Sequence, residues 1–257
     1  SGAGEYTSGL AFGGNPITGK TETWNGSVWF ETADLNAGRK KPGASGISTA
    51  ALAFSGQNSD SPSGSALTEE FTAGAPVGAW ATGGSLNTGR SFLFGAGTQT
   101  AALAAGGDTN PPANNTVATE QYNGSSWTAS GTTNSVSYAA MSAGTQTAGV
   151  RAGGYLYPSS AYQTFTEEYN GSSWTSVNSM PEGRGSAAPS KNGTQSAWQF
   201  SGGNSPSVTT LTQVYDGTNW ITGASISSAR DGFDGGGTAS GSGAHLICGG
   251  GPPPAGL

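Results

Sequence analysis

The sequence predicts an all-β fold built from copies of one four-stranded antiparallel unit. The segment TEQYNGSSWTASG, residues 119–131, returns almost unchanged as TEEYNGSSWTSVN, residues 166–178. Gly-Gly or Ser-Gly pairs recur every 42 to 51 residues, with second glycines at Gly14, Gly56, Gly107, Gly154, Gly203 and Gly250. A period of this length is typical of propellers and solenoids. No stretch shows the sustained 3.6-residue apolar periodicity of amphipathic helices.

The composition indicates an ordered chain with an unusual core. Leu, Ile, Val and Phe number only 33 of 257 residues, below the fraction of roughly 20% at which disorder becomes an alternative. Disordered chains, however, combine high net charge with few aromatics, whereas this chain carries a net charge of -6 with seven Trp, eight Tyr and nine Phe. We therefore expect layers of small residues with aromatic side chains between them.

Charge and cysteine content exclude several partners and sites. Nine basic residues face fifteen acidic ones, and the only basic cluster is Arg39-Lys40-Lys41, so no nucleic-acid partner is expected. The sequence contains no run of eighteen apolar residues, so membrane insertion is not expected. The single cysteine, Cys248, excludes an intramolecular disulfide and a multi-cysteine zinc site.

Each repeat divides into four short strands, which we call A to D. An apolar run that ends at the glycine pair forms strand B. Strand C carries an aromatic residue before a tight turn, and strand D carries a Trp after that turn. Four of the five C–D pairs enclose Asn-Gly or Asp-Gly, which supply the positive φ angles of a type I′ hairpin turn: Asn25-Gly26, Asn123-Gly124, Asn170-Gly171 and Asp216-Gly217. Strand A fits between the residue ten positions after each Trp and the next strand B.

The order of Arg, double Gly, Tyr and Trp resembles the kelch repeat. The joint WTSVNSMPEGR, residues 174–184, is particularly similar to the kelch pattern of Trp, an apolar residue and Arg. The resemblance covers nearly the whole chain in five copies and implies a β-propeller of four-stranded blades around a central channel. The segments YNGSSWT and GTQTAALA also resemble kelch-like repeats in structural proteins of tailed bacteriophages. Ser137, where kelch repeats carry Arg, and the lengthened turn FTAGAPVGAW depart from the kelch pattern.

The strand count leaves two ways to close the ring. Kelch-like propellers usually close by mixing strands from both termini, which would join strand A at residues 231–236 to the N-terminal strands B, C and D. This predicts five blades in a single domain, residues 1–250, followed by a Gly/Pro-rich tail, residues 251–257. Six blades, with the first and the last incomplete, are the alternative.

The loops between strands B and C are the best candidates for a binding surface, since they vary while the framework is kept. In the fourth copy this loop carries Tyr155, Tyr157 and Tyr162, which have no counterparts elsewhere. The second and third loops add polar candidates: Asn58, Asp60, Asp108 and Asn110. Asp108, Thr109 and Asn110 offer calcium-type oxygen ligands, although such loops commonly hold only water.

The repeated side chains have a structural and a functional interpretation. The tryptophans either pack between blades or stack on sugars: Trp29, Trp80, Trp127, Trp174 and Trp220. The arginines either link neighbouring blades or form a ring that attracts an anion: Arg39, Arg90, Arg184 and Arg230. The fixed spacing favours the structural interpretation of both sets. Glu22, Glu69, Glu120 and Glu167 recur too regularly for catalysis and are expected to be hydrogen-bonding groups.

Enzyme functions are not favoured. The copper-radical oxidases on kelch propellers need two His and a Cys cross-linked to Tyr, whereas this chain has His245 and Cys248 alone. Asp231 and Asp234 lack a further feature of a paired-carboxylate site. We therefore predict a non-enzymatic protein with neither cofactor nor metal.

The resemblance of these segments to phage repeats favours a module at the virion surface, either a tail fibre or a capsid decoration. Its expected partners are other virion proteins and host surface glycans. The alternative is a cellular kelch module, an extracellular lectin or a protein-binding adaptor.

Overall fold

The computed structural model describes residues 1–74, 78–109, 114–159, 161–232, 234–237, 245–248 and 250–251. Every regular element among them is a β-strand. Five four-stranded antiparallel sheets each follow the order A–B–C–D and form the blades of a β-propeller. The predicted fold class and the count of five four-stranded blades are therefore confirmed.

The strands are numbered in chain order. The first blade consists of β1 (Gly2–Glu5), β2 (Ser8–Phe12), β3 (Thr21–Trp24) and β4 (Trp29–Glu31). The second consists of β5 (Gly43–Ile47), β6 (Ala50–Phe54), β7 (Thr68–Thr72) and β8 (Ala79–Gly83). The third consists of β9 (Phe94–Gly97), β10 (Ala102–Ala105), β11 (Thr119–Tyr122) and β12 (Trp127–Ser130).

The fourth blade carries an extra hairpin in its B–C loop, β15 (Tyr155–Leu156) and β16 (Ala161–Tyr162). Its four blade strands are β13 (Met141–Gly144), β14 (Gly149–Ala152), β17 (Thr166–Tyr169) and β18 (Trp174–Val177). The fifth blade consists of β19 (Ala188–Pro189), β20 (Trp198–Ser201), β21 (Thr212–Tyr215) and β22 (Trp220–Gly223). A last pair, β23 (Asp234–Gly237) and β24 (His245–Cys248), forms a separate two-stranded sheet.

The ring closes differently from the expected mixed blade. Gly2–Glu5 pair with Ser8–Phe12 and supply strand A of the first blade, so all four of its strands come from the N-terminal part. The sequence-based assignment missed this strand because its small residues precede the first glycine marker. The two ends of the chain still meet, because β23 contacts both β19 and β1. The ring thus has five complete blades and a two-stranded sheet between the fifth and the first.

The core lies between the blades and depends on close approach of small residues. Ala44, Ala51 and Ala53 of the second blade are buried in one cluster with Leu10 and Phe12 of the first blade. Gly95 on β9 faces the neighbouring inner strand so closely that an added Cβ would lie 2.5 Å from the carbonyl oxygen of Ala44. The scarcity of large aliphatic residues therefore reflects narrow spaces between the inner strands.

The Asn-Gly turns form hairpins, but the type I′ prediction was wrong. In each turn a four-residue loop separates the paired aromatics, and only the glycine has a positive φ, for example 92° at Gly124. The Oδ1 atom of Asn123 accepts hydrogen bonds from the amides of Ser125 and Ser126, at 3.0 and 2.9 Å. The side chain therefore caps the loop as an Asx turn, which explains why Asp216 replaces Asn in the fifth blade.

The A–B turns carry a second repeated contact that sequence analysis did not identify. The Nε2 atom of Gln146 donates to the carbonyl oxygens of Ala102 and Tyr122 in the preceding blade. Gln99 and Gln195 make the same pair of bonds to the blades that precede theirs. The repeated Gln of these A–B turns thus holds adjacent blades together on the face opposite the B–C loops.

Candidate functional site

A belt of left-handed residues surrounds one mouth of the central channel, on the face of the B–C loops. Two positions after each framework Arg or Ser stands a residue with φ between 54° and 63°: Lys41, Phe92, Ala139, Ser186 and Gly232. The amide of each later member donates to the carbonyl of the preceding member, across four blade junctions, at 2.9 to 3.3 Å. A left-handed conformation costs about 1–2 kcal/mol at a residue other than glycine. The belt therefore fixes the backbone at the mouth while its side chains differ from blade to blade.

The mouth opens into a cavity of about 390 Å³ with a basic lining. The protein has four lysines, and three of them, Lys40, Lys41 and Lys191, line this cavity. Among the described lining residues there is no Asp or Glu. A protein with a net charge of -6 thus concentrates its lysines where low-dielectric walls focus their field.

Lys41 connects the cavity to an aromatic surface. Its Nζ atom lies 3.9 Å from the centroid of the Phe92 ring, within cation–π range. Partial burial, followed by the charge of Lys40, lowers the pKa of Lys41. The side chain nevertheless remains exposed to solvent at the cavity rim.

Four rings continue from Lys41 across the third and fourth blades, and we call them the aromatic row: Phe92, Tyr138, Tyr155 and Tyr162. Successive ring centroids are 5.1, 5.4 and 5.2 Å apart. Tyr155 and Tyr162 are cross-strand partners in the β15–β16 hairpin, and Tyr138 exchanges backbone hydrogen bonds with Tyr155. All four rings are half-buried, so each keeps part of its surface in solvent.

Two phenols of the row, Tyr138 and Tyr162, have raised pKa values. Burial, followed by the neighbouring Tyr155, raises the pKa of Tyr138 to about 12. Burial also raises the pKa of Tyr162, with smaller contributions from Tyr155 and Asp231. A neutral phenol both donates and accepts a hydrogen bond, which suits recognition of hydroxyl groups.

The structure brings the three candidate tyrosines of the fourth loop together on this face. Tyr157 is 38% exposed at the tip of the hairpin, and its carbonyl accepts a hydrogen bond from Nδ2 of Asn115 in the third loop. Phe92 and Tyr138 were missed by sequence analysis. Their position in the repeat could have identified them. Phe92 is the belt residue two positions after Arg90, and Tyr138 lies between Ser137 and the belt residue Ala139.

The polar candidates of the second and third loops serve their own loops. Asp108 is fully buried, and its Oδ1 atom accepts a hydrogen bond from the amide of Asn114. Asn58 is buried and accepts from the amide of Ser61, while Asp60 is exposed. Asn110 lies outside the described residues.

The framework arginines do not form an anion-attracting ring. Arg39, Arg90 and Arg184 are fully buried and make ion pairs with Glu69, Glu120 and Glu182, respectively. Glu69 also accepts hydrogen bonds from the amides of Asn36 and Ala37, at 2.7 and 3.2 Å. This carboxylate therefore anchors the D–A connection that enters its blade. Arg230 is half-buried.

In the fourth blade the framework arginine comes from a different strand. Ser137 occupies the position of Arg, and Arg151 on β14 lies directly opposite Glu167 on β17. Nε of Arg151 is 3.1 Å from Oε2 of Glu167, and both side chains are fully buried. Nη2 of Arg151 donates to the carbonyl of Ser135 in the D–A connection that enters the fourth blade. The arginine therefore anchors this connection, whereas the carboxylate of Glu69 anchors the equivalent connection of the second blade. The departure from the repeat is thus compensated within the blade.

Four of the repeated tryptophans lie between blades. Each donates its Nε1–H to a threonine on strand C of the preceding blade, at 2.9 to 3.2 Å: Trp80 to Thr21, Trp127 to Thr68, Trp174 to Thr119 and Trp220 to Thr166. Trp29 of the first blade is half-buried and makes no such bond among the described residues.

The described residues give no sign of a metal centre or a membrane span. They contain no group of three or more His, Cys, Asp or Glu side chains that could hold a metal ion. No helix of the described part is long and apolar enough to cross a membrane. Neither a protein-family model nor a curated protein matches the sequence.

Proposed function

We propose that the protein is a non-enzymatic virion module of a tailed phage that binds acidic glycans of the host surface through the channel mouth. The observation that carries the proposal is the junction of the aromatic row with the lysine-lined cavity at Lys41. Aromatic rings supply apolar faces for stacking, and phenol tips supply hydrogen bonds. The lysines supply the counter-charge for the carboxylate of an acidic sugar. We also propose that the blades are kelch repeats, as their sequence pattern suggests.

The location of this surface supports a recognition role. It is formed by the variable B–C loops and the belt, whereas the buried arginines and tryptophans are engaged inside the framework. Tyrosine also loses little conformational entropy when it binds a ligand, since it has only two side-chain torsions. A rigid belt that carries different side chains allows selectivity to change without changes in the blades.

Binding should depend on the row and the lysines. Alanine at Tyr138, Tyr155 or Lys41 is expected to weaken binding of an acidic oligosaccharide about tenfold each, a loss of about 1.4 kcal/mol. The measurement is a glycan array to select the ligand, followed by titration calorimetry of each variant. Raised salt should also weaken binding, because the charge of the exposed Lys41 is screened.

Tyr6→Ala is the matched control, since Tyr6 is an exposed tyrosine between β1 and β2, on the opposite face. It should bind like the parent protein. Equal losses in Tyr6→Ala and Tyr155→Ala, or no binding across acidic bacterial surface glycans, would rule out the proposed site.

The proposed location on a virion is based on the resemblance of the repeat segments to those of phage structural proteins, and it has its own test. The protein should copurify with assembled particles through a density gradient. Recovery only from particle-free extract or medium would favour the cellular alternative, a lectin or an adaptor.

A further inference from the structure

The two-stranded sheet between the fifth and first blades has an open outer side within the described residues. In every complete blade, strand B pairs with strand A on its inner edge and with strand C on its outer edge. The sheet β23–β24 supplies the A and B strands of this position, and no described strand pairs with the outer edge of β24. Such an edge presents backbone donors and acceptors to an incoming strand.

On the flank of the first blade, Glu22 and Trp29 show, within the described residues, no counterpart of two contacts that the repeat makes elsewhere. Glu69 and Glu120 are buried against the D–A connection that precedes their blade, whereas Glu22, at the same repeat position, is exposed. The repeated tryptophans of the other four blades bond a threonine of the preceding blade, whereas Trp29 is half-buried without this bond. The threonine would come from strand C of the incomplete position, and the amides would come from the connection that follows its strand D.

The flank formed by the fifth blade offers the complementary groups. Thr212 occupies the position at which Thr68, Thr119 and Thr166 accept the Nε1–H of a tryptophan from the next blade. In this structure its Oγ1 atom instead lies 2.8 Å from Oγ of Ser201. The acceptor position is therefore present, and a rotation of the Ser201 hydroxyl would keep that contact while a tryptophan binds.

One residue of this flank specifies the aromatic residue of an incoming strand. Glu70 and Glu168 on strand C accept a hydrogen bond from the tyrosine hydroxyl of the next blade, Tyr122 and Tyr215, respectively. In the fifth blade this position is Val214, which is buried and has no polar side-chain atom. A phenylalanine, as at Phe71 of the second blade, fits such a position better than a tyrosine because no hydroxyl is left unpaired.

We propose that the sixth position is an acceptor site for a β-hairpin with the C–D sequence pattern of the repeat. Its first strand would pair with β24 and carry phenylalanine beside Val214. Its second strand would carry a tryptophan that donates to Thr212, and the following connection would supply amides and an arginine to Glu22. Addition of strands to an exposed edge is a known mode of peptide recognition.

The probe is a synthetic peptide with the sequence of residues 166–184 and the change Tyr169→Phe, titrated into the full chain. We expect saturable one-to-one binding by calorimetry. Hydrogen exchange should show slower exchange of the β24 backbone amides, and the indole resonance of Trp29 should shift. The peptide that retains Tyr169 should bind more weakly, by about three- to tenfold, because its hydroxyl would face Val214.

Two controls separate this site from nonspecific peptide binding. The change Trp174→Ala in the peptide should abolish binding, and Glu22→Ala in the protein should weaken it about tenfold. Asp60→Ala, which removes an exposed carboxylate from the second B–C loop, should leave it unchanged.

Absence of saturable binding, or equal affinity for the peptide and its alanine variant, would overturn the proposal. A self-associated protein whose β24 edge is protected by a second copy, and which excludes the peptide, would overturn it as well. Glycan binding at the channel mouth uses a different face, so either proposal can fail without the other.

Discussion

Replacement of Arg151 by alanine is expected to lower the free energy of unfolding by about 3–5 kcal/mol, the cost of breaking a buried ion pair. The change leaves Glu167 buried and unpaired, and it also removes the donor to the carbonyl of Ser135. Burial lowers the pKa of Arg151 to about 10, against the opposing effect of Glu167, so the guanidinium remains charged at neutral pH. Urea unfolding followed by tryptophan fluorescence measures the loss.

The chain offers a rescue and a control for this prediction. The change Ser137→Arg would place a guanidinium at the repeat position from which Arg90 pairs with Glu120 in the third blade. The double variant Arg151→Ala, Ser137→Arg should therefore recover most of the loss. Lys20→Ala breaks an exposed ion pair with Glu31 and should leave the free energy of unfolding almost unchanged, because solvent screens such pairs. A double variant no more stable than Arg151→Ala would show that the two positions do not serve one function.

Replacement of Trp127 by alanine is expected to cost about 3–5 kcal/mol, the range for large aromatic residues in a packed core. Its ring packs 4.9 Å from that of Phe54 in the second blade, and its Nε1–H is bonded to Thr68. The change therefore opens a cavity at a blade junction and leaves a buried hydroxyl without its donor. Urea unfolding again provides the measurement.

Two further variants test the assignment of this cost to blade packing. Trp127→Phe keeps most of the apolar surface and should lose only about 1–2 kcal/mol, chiefly the hydrogen bond. Trp29→Ala changes the same repeat position where the ring is half-buried, and should cost clearly less than Trp127→Ala. Equal losses at Trp29 and Trp127 would contradict the structural basis proposed for the difference.

Most of the blade framework could be predicted because it is repeated. The fixed distances between the glycine marker, the aromatic residues and the Arg or Ser position predict four strands per unit from the sequence alone. Strand β1 could not be found this way, since Gly2–Glu5 precede the first marker. The role of Arg151 was equally hidden, because it compensates for Ser137 across a strand pairing and not along the chain.

The candidate site was predicted only in part, for a related reason. Tyr155, Tyr157 and Tyr162 stood out because a single loop carries them. Phe92 and Tyr138 lie in D–A connections, and only the ring geometry brings them beside the tyrosines of a B–C loop. The lysine-lined cavity depends on the same geometry, since Lys191 is distant in sequence from Lys40 and Lys41.

We propose that the channel mouth on the B–C loop face recognises an acidic glycan. The most direct measurement is a map of amide and side-chain chemical-shift changes as an acidic oligosaccharide selected on the array is added to the isotopically labelled protein. We expect the largest changes at Lys41, Phe92, Tyr138 and Tyr155, with none at the A–B turns around Gln99 and Gln146. Changes confined to the A–B turns or to the outer strands, with the aromatic row unaffected, would contradict it.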